Sequence, residues 1–196
     1  MVTSEHTTYS TYRKSVLEHL FIGEVMTYCW RERLPRIEIL KSQVDNAGYD
    51  IVLEANEIMR HIQLKSSHVG AATPRVNINV ELASKPSGCV VWMFVDPETL
   101  DFRHFLWFGE GPGERLASLD GFPTGTHTKR NADGVKTERP NIRYLTRRSF
   151  TLLPTIDDVV VRLFGRLPVD VDTEKLPIGQ VEDHPTDRLN GQRFNL

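Results

Sequence analysis

Cysteine is nearly absent: two residues in 196, Cys29 and Cys89, leave no disulfide framework. They stand far apart, each in an apolar segment, and no Cys/His spacing of zinc type exists. Both read as buried thiols in a reducing compartment. Long apolar runs are missing too, since the longest, Cys89 to Val95, is too short to span a bilayer. The segment Met1 to His6 shows no basic stretch leading into an apolar one, which argues against a secretory signal. A cytoplasmic location is the expectation. Charge of one sign is also lacking. The formal net charge of −2 means that no global basic field draws the chain to nucleic acid, so such binding rests on a local patch. Gly109 to Gly113 lacks the Lys-Ser/Thr of a phosphate-cradling loop and reads as a turn. No Ser/His/Asp or Cys/His arrangement is defensible from spacing, and Cys29, mid-helix among apolar residues, is poorly placed for a reactive thiolate.

What is present describes a globular chain. Hydrophobic residues make up 39% and charged residues 26%, which excludes a disordered or fibrous class. The length suits one domain with a proper core. Residues Ser10 to Arg33 carry only one glycine, Gly23, and no proline, and read as one long helix ended by Pro35. Leu17, Leu20, Phe21, Glu24 and Tyr28 fall on one stripe at helical spacing, which places Glu24 within an apolar face. Glu18 lies with Ile22, Val25 and Cys29 on a competing face; Glu24 is preferred for its Gly23 neighbour.

Ile37 to Gln43 reads as a strand. Val76, Ile78 and Val80 alternate with Asn77 and Asn79, which suits a further strand or the start of a short helix. Gly88 to Val95 is apolar on both faces, as in a central, fully covered strand. Phe102 to Phe108 gives another. Pro154 to Gly165 reads as a capped last helix, with Thr155 as N-cap, Asp157 and Asp158 in its first turn and Gly165 as terminator. Residues 1–165 thus form the expected α/β domain, a central mixed sheet flanked by helices, and residues 166–196 an acidic, proline-bearing extension.

The chemistry concentrates in Gly48-Tyr49-Asp50-Ile51-Val52-Leu53-Glu54 and His61-Ile62-Gln63-Leu64-Lys65-Ser66-Ser67. Gln63 and Lys65, two apart on a strand, project from one face. Asn56 between the runs favours a turn, so an antiparallel hairpin brings Asp50 beside Gln63 and Lys65. A carboxylate, an amide oxygen and an ammonium then converge, as needed to hold a hard divalent cation and position a water for phosphodiester hydrolysis. Asp45 and Glu54 are the runner-up ligands.

These residues resemble the PD-(D/E)XK nuclease superfamily, the restriction-endonuclease-like fold, mainly over Phe21 to Ser67. In that superfamily a helix carries a glutamate, an aspartate opens a strand, and a (Asp/Glu/Gln)-x-Lys pattern lies on the next. Ile22-Gly23-Glu24, Gly48-Tyr49-Asp50 and Gln63-Leu64-Lys65 match those places, and Ile62 to Ser66 is similar to Holliday junction resolvases and Mrr-type nucleases. The chain lacks a proline before Asp50, and Gln63 stands where a carboxylate is usual, which removes one negative charge from the metal site. The resemblance implies a Mg²⁺- or Mn²⁺-dependent DNA endonuclease in which Asp50, Gln63 and Glu24 bind metal. Lys65 orients or deprotonates the attacking water, Ser66 or Ser67 bonds phosphate, and a homodimer cuts both strands.

From Thr124 to Arg148 the chain is basic, and His127, Lys129, Arg130, Arg139 and Arg143 are the residues expected to grip phosphates; a solvated charged loop is the alternative. Each motif also has a plain structural reading: Asp50 as a turn residue, Glu24 in an ion pair, Gln63 and Lys65 on a solvated edge. The competing functions are a nuclease-fold protein that binds nucleic acid without cutting it, and an interaction module whose hairpin is only core.

Overall fold

The structure is a computed structural model that describes residues 10–41, 48–127 and 136–169. It opens with helix α1 (Ser10–Arg31). Strands β1 (Glu38–Lys41), β2 (Ile51–Ala55) and β3 (Ile58–His68) follow. Next come β4 (Arg75–Asn79), β5 (Gly88–Val95) and β6 (Phe102–Gly109), then β7 (Thr124–Thr126), β8 (Glu138–Thr146) and β9 (Thr151–Leu153), and finally helix α2 (Ile156–Phe164). Among the described residues no helix is long and apolar enough to cross a membrane.

The six-stranded sheet has the order β1-β2-β3-β5-β6-β9, with β3 and β5 parallel and all other neighbours antiparallel. The β2–β3 hairpin forms as the turn chemistry demands: Asn56 and Glu57 take φ of 49° and 63°, the left-handed values of a tight hairpin turn. Register follows, with Ala55 opposite Ile58 and Ile51 opposite Ile62. Every residue of β5 is buried, as its unbroken apolar run requires of a strand covered on both faces.

The two faces of this sheet are covered differently. Helices α1 and α2 pack on one, where Leu17, Phe21, Val25 and Leu163 meet Ile51, Ile62, Leu64, Val91 and Met93. A three-stranded antiparallel sheet, β4-β8-β7, covers the other, with Ile78, Leu82 and Leu145 over Val90 and Phe150 against Trp92. The mixed α/β class is as expected, but the described helices flank one face only. The second sheet comes from the polar region after Thr124 together with the segment whose strand-or-helix character periodicity left open. That segment is both: β4 ends at Asn79, whose side chain accepts from the Glu81 amide and starts a single 3-10 turn, Val80–Ser84.

Helix α2 is capped as its sequence states, with Thr155 and Asp158 satisfying each other's backbone amides and Gly165 leaving at φ 75°. Its C-terminal carbonyls meet Arg60, which is fully buried. The guanidinium donates to Leu163 O (2.7 Å), Arg162 O (2.9 Å), Glu110 O (3.0 Å) and Ser87 Oγ (2.9 Å), so a buried cation is neutralised by oriented dipoles. The C-terminal extension, from residue 170 onward, lies outside the described residues.

Candidate active site at the mouth of the central hairpin

Gly48 begins the site. Its φ of 80° suits glycine alone, and a Cβ there would stand 2.9 Å from the Leu82 amide nitrogen. The chain therefore enters β2 pressed against the 3-10 turn, and Asp50 emerges one residue before the strand. The Asp50 amide donates to Ile62 O at 2.8 Å, and its Oδ2 accepts from the Leu64 amide at 2.7 Å. Asp50 is thereby fixed between Gln63 and Lys65, the two positions that flank Leu64. Its other oxygen, Oδ1, holds Lys14 Nζ of α1 at 2.7 Å. The hairpin thus sets Asp50 against the Gln63-Leu64-Lys65 segment of β3.

The helical acid is a different one. Glu24 is exposed and lines a cavity of about 440 Å³ with Leu20, Leu100, Asp101 and Ile156, away from β3. Glu18 is 7% exposed and lines a cavity of about 260 Å³ together with Lys14, Lys65, Ser66 and Met93. The expectation that Glu24 joins Asp50 is corrected here. The buried stripe of α1 is Leu17, Phe21, Val25 and Cys29, spaced four apart, with Glu18 beside Leu17, and Leu20 is exposed. Six residues along the helix separate the two glutamates by about 9 Å of rise, a different level of the sheet. Glu18 forms a close ion pair with Lys41 Nζ at 2.5 Å, outside hydrogen-bond alignment. Because Lys41 pairs with Ile51, that contact draws Glu18 to the entrance of β2, beside Asp50.

Gln63 is 9% exposed, and its Oε1 has no hydrogen-bond partner among the described residues. A buried amide oxygen left so costs about 1–3 kcal/mol, which a cation or water repays. With the Asp50 carboxylate at the adjacent strand entrance it makes a small all-oxygen donor set, chemically suited to a hard divalent ion that keeps several waters, while Glu18 stands on the helix side of the sheet, the face from which Gln63 turns away. Among the described residues no group of three or more His, Cys, Asp or Glu side chains could hold a metal. Any metal site here is therefore the sparse kind, completed by a carboxamide and water. Asp45, a runner-up ligand, lies outside the described residues; Glu54 pairs with Met59 near the turn, remote from Asp50.

Of the phosphate-binding expectations, Ser66 lines the Glu18 cavity, but Ser67 is buried and accepts a hydrogen bond from Trp92 Nε1 at 3.0 Å, so it is committed to the core. His127 and Arg139 share a groove of about 410 Å³ with Asn79, Glu138, Asn141 and Ile142. Arg143 is spent within its own strand, donating to Pro140 O (2.6 Å) and Ile142 O (3.2 Å) with Asp120 at 3.7 Å, and so is not presented to a phosphate. Lys129 and Arg130 lie outside the described residues. Burial pushes the Cys89 thiol up to about 12 and the Cys29 thiol up to about 11, so neither is a nucleophile. Sequence reasoning passed over Lys14 and Lys41. The i, i+4 spacing of Lys14 and Glu18 is the one signal that marks them.

The geometry stands without a relative to lean on: no family model, no curated protein and no solved structure matches this chain.

Proposed function

We propose that this chain is a metal-dependent DNA endonuclease of the PD-(D/E)XK type, with a restriction-endonuclease-like fold and a site made of Asp50, Gln63, Lys65 and Glu18. The observation that carries the reading is the Asp50 Oδ2 contact to the Leu64 amide, which sets the carboxylate between a buried, unsatisfied Gln63 oxygen and Lys65. The arrangement of helix, antiparallel strands and a parallel strand beyond β3 supports it. Two buried thiols fit a cytoplasmic setting.

Asp50 and Gln63 are the residues to hold Mg²⁺ or Mn²⁺, and Glu18 approaches Asp50 from the helix side of the sheet. A bound divalent ion supplies a Lewis acid for a phosphoryl oxygen and makes its water a better nucleophile. Lys65, on the same strand face as Gln63, orients or deprotonates the attacking water and offsets charge that builds on the phosphate. Ser66 donates a hydrogen bond to a phosphate oxygen. Lys14 and Lys41 hold the two carboxylates in ion pairs. Cutting both strands of a duplex calls for two copies of so small a domain.

A second reading has its own support. Each carboxylate already carries a lysine, Asp50 with Lys14 and Glu18 with Lys41, which suits a nuclease-fold protein that binds nucleic acid or a partner without cutting. A plasmid-nicking assay in Mg²⁺ or Mn²⁺ separates the two: the first reading requires cleavage by the wild type that Asp50→Ala and Lys65→Ala both lose. Equal, background-level nicking by all three proteins abolishes it.

A further inference from the structure

The side of the β4-β8-β7 sheet that faces away from the core carries a second set of groups that the nuclease chemistry does not use. In the β4–β8 ladder Arg75 stands opposite Thr146, Asn77 opposite Tyr144 and Asn79 opposite Ile142. Ile78 and Leu145 are fully buried against the main sheet, so by strand alternation these six residues project outward. The Tyr144 ring is held rigidly. Its hydroxyl accepts from the Thr126 amide at 2.9 Å and lies 3.2 Å from Thr126 O. The Arg75 guanidinium carbon lies 3.9 Å from the ring centroid, which makes a planar cation stacked on an aromatic.

Beside this stack runs the groove of Asn79, His127 and Arg139. Asn79 also touches the start of the candidate site: its Cβ lies 3.3 Å from where a Gly48 Cβ would be, two residues before Asp50. The charge of this sheet face is suited to a polyanion, since among the described residues Lys136, Arg139 and Arg148 are exposed on or next to β8, with Glu138 and Asp120 as the nearby acids.

We propose that this outer sheet face binds single-stranded DNA. The inference rests on the nuclease reading only for what becomes of the bound strand. Bases stack on the Arg75–Tyr144 pair, Asn77 bonds base edges, and Arg139 with His127 faces the backbone. A duplex keeps its bases stacked on one another and cannot offer their faces to this pair, so the surface selects for unpaired DNA.

Fluorescence anisotropy of the full chain in EDTA, with labelled oligothymidylate and with a duplex of equal length, tests this without any cleavage. The expected result is at least about tenfold tighter binding of the single strand, with Arg75→Ala and Arg139→Ala each weakening it by about tenfold and changing duplex binding little. Arg75→Lys, which keeps the charge and loses the plane, should fall between wild type and alanine. Circular dichroism melts confirm that the variants fold. Duplex binding equal to or tighter than single-strand binding overturns the proposal, as does unchanged single-strand affinity in both alanine variants. Parallel nicking assays keep the two ideas apart. Asp50-dependent cleavage without a single-strand preference sinks the platform and leaves the nuclease. An Arg75-dependent single-strand preference without cleavage in any metal supports the platform and sinks the nuclease.

Discussion

Of the buried polar side chains on strand β3, Arg60 and Gln63 stand three residues apart and are treated in opposite ways. Arg60 has each of its three nitrogens on an acceptor: two helix-terminal carbonyls, a loop carbonyl and a serine hydroxyl. Gln63 is almost as deeply placed, and its Oε1 has no protein partner among the described residues. The first group faces the helices and closes the fold. The second faces the other way, at the mouth of the hairpin beside Asp50. A buried polar group that a fold needs for itself is satisfied within the chain, while one reserved for a ligand is left open. Arg60 is thus read as structure and Gln63 as site, and substitutions can break that division.

The largest effect belongs to the open end. Asp50→Ala or Lys65→Ala should lower metal-dependent cleavage by roughly 10²–10⁴-fold, the usual range for a group acting on the reacting water or phosphate. The thermal melt should change less for Lys65→Ala, since Lys65 is only half-buried at the cavity rim. Asp50→Ala also frees the Leu64 amide and Lys14, so some loss of stability accompanies its loss of activity. A variant that melts normally and still cuts would remove that residue from the site.

Next in size is the closed end. Arg60→Met leaves the carbonyls of Glu110, Arg162 and Leu163 and the Ser87 hydroxyl without their donor, at about 1–3 kcal/mol for each group that water cannot reach. A loss of at least about 3 kcal/mol in urea-denaturation stability is expected. Arg60→Lys should recover only part of it, since one ammonium cannot span acceptors on α2, on the turn before β5 and on the loop after β6. A near-neutral Arg60→Met would show that burial there is incidental.

How much of this contrast the amino-acid order reveals differs by element. The hairpin was legible because Asn56 and Glu57 separate two apolar runs, and its register then places Asp50 opposite Gln63 without further information. The burial of β5 was legible from its uninterrupted apolar stretch. Helix α1 was legible in extent but not in orientation. Its apolar residues occupy more than one face, Leu20, Met26 and Trp30 among the exposed ones, so periodicity admits both the Glu18 and the Glu24 stripe. Only the packing of Leu17, Phe21, Val25 and Cys29 onto the sheet decides between them. The three-stranded sheet was hidden because its strands are polar: in β8 only Leu145 is buried, and its partner β4 is distant in sequence. Orphaned groups such as Gln63 Oε1 have no sequence signature, since satisfaction depends on partners that sequence does not name.

Gln63 itself sharpens the comparison at intermediate size. Gln63→Leu removes a buried amide whose oxygen gains nothing from the protein, so stability should stay within about 1 kcal/mol of wild type while cleavage falls. Gln63→Glu restores the negative charge that the carboxamide lacks and should raise Mn²⁺ affinity by about tenfold, read by calorimetric titration. A Gln63→Leu protein as active as wild type would return the residue to the core.

The smallest effect concerns pH, and it bears on the same face of β3. His61 shares Gln63's side of the strand, packs edge-on against Tyr49 with ring centroids 4.9 Å apart, and its buried Nδ1 has no hydrogen-bond partner among the described residues. Burial holds its imidazole below the ordinary value of 6.5, and Lys85 adds to the shift in the same direction. The neutral ring is therefore the folded form, and the unfolded chain binds more protons just below that value. Its contribution to stability is fully present above about pH 6.5 and is lost as pH falls toward the lower folded value. His104, lowered by burial and Arg147, adds in the same sense, whereas Asp96, held at about 2 by its Arg103 hydrogen bond, does not titrate in that window. Urea midpoints measured from pH 7.5 down to 5 should fall, and His61→Gln should flatten part of that slope. A slope identical in both proteins would mean that His61 reaches water freely, and the closed character of this side of β3 would then end before Gln63 is reached.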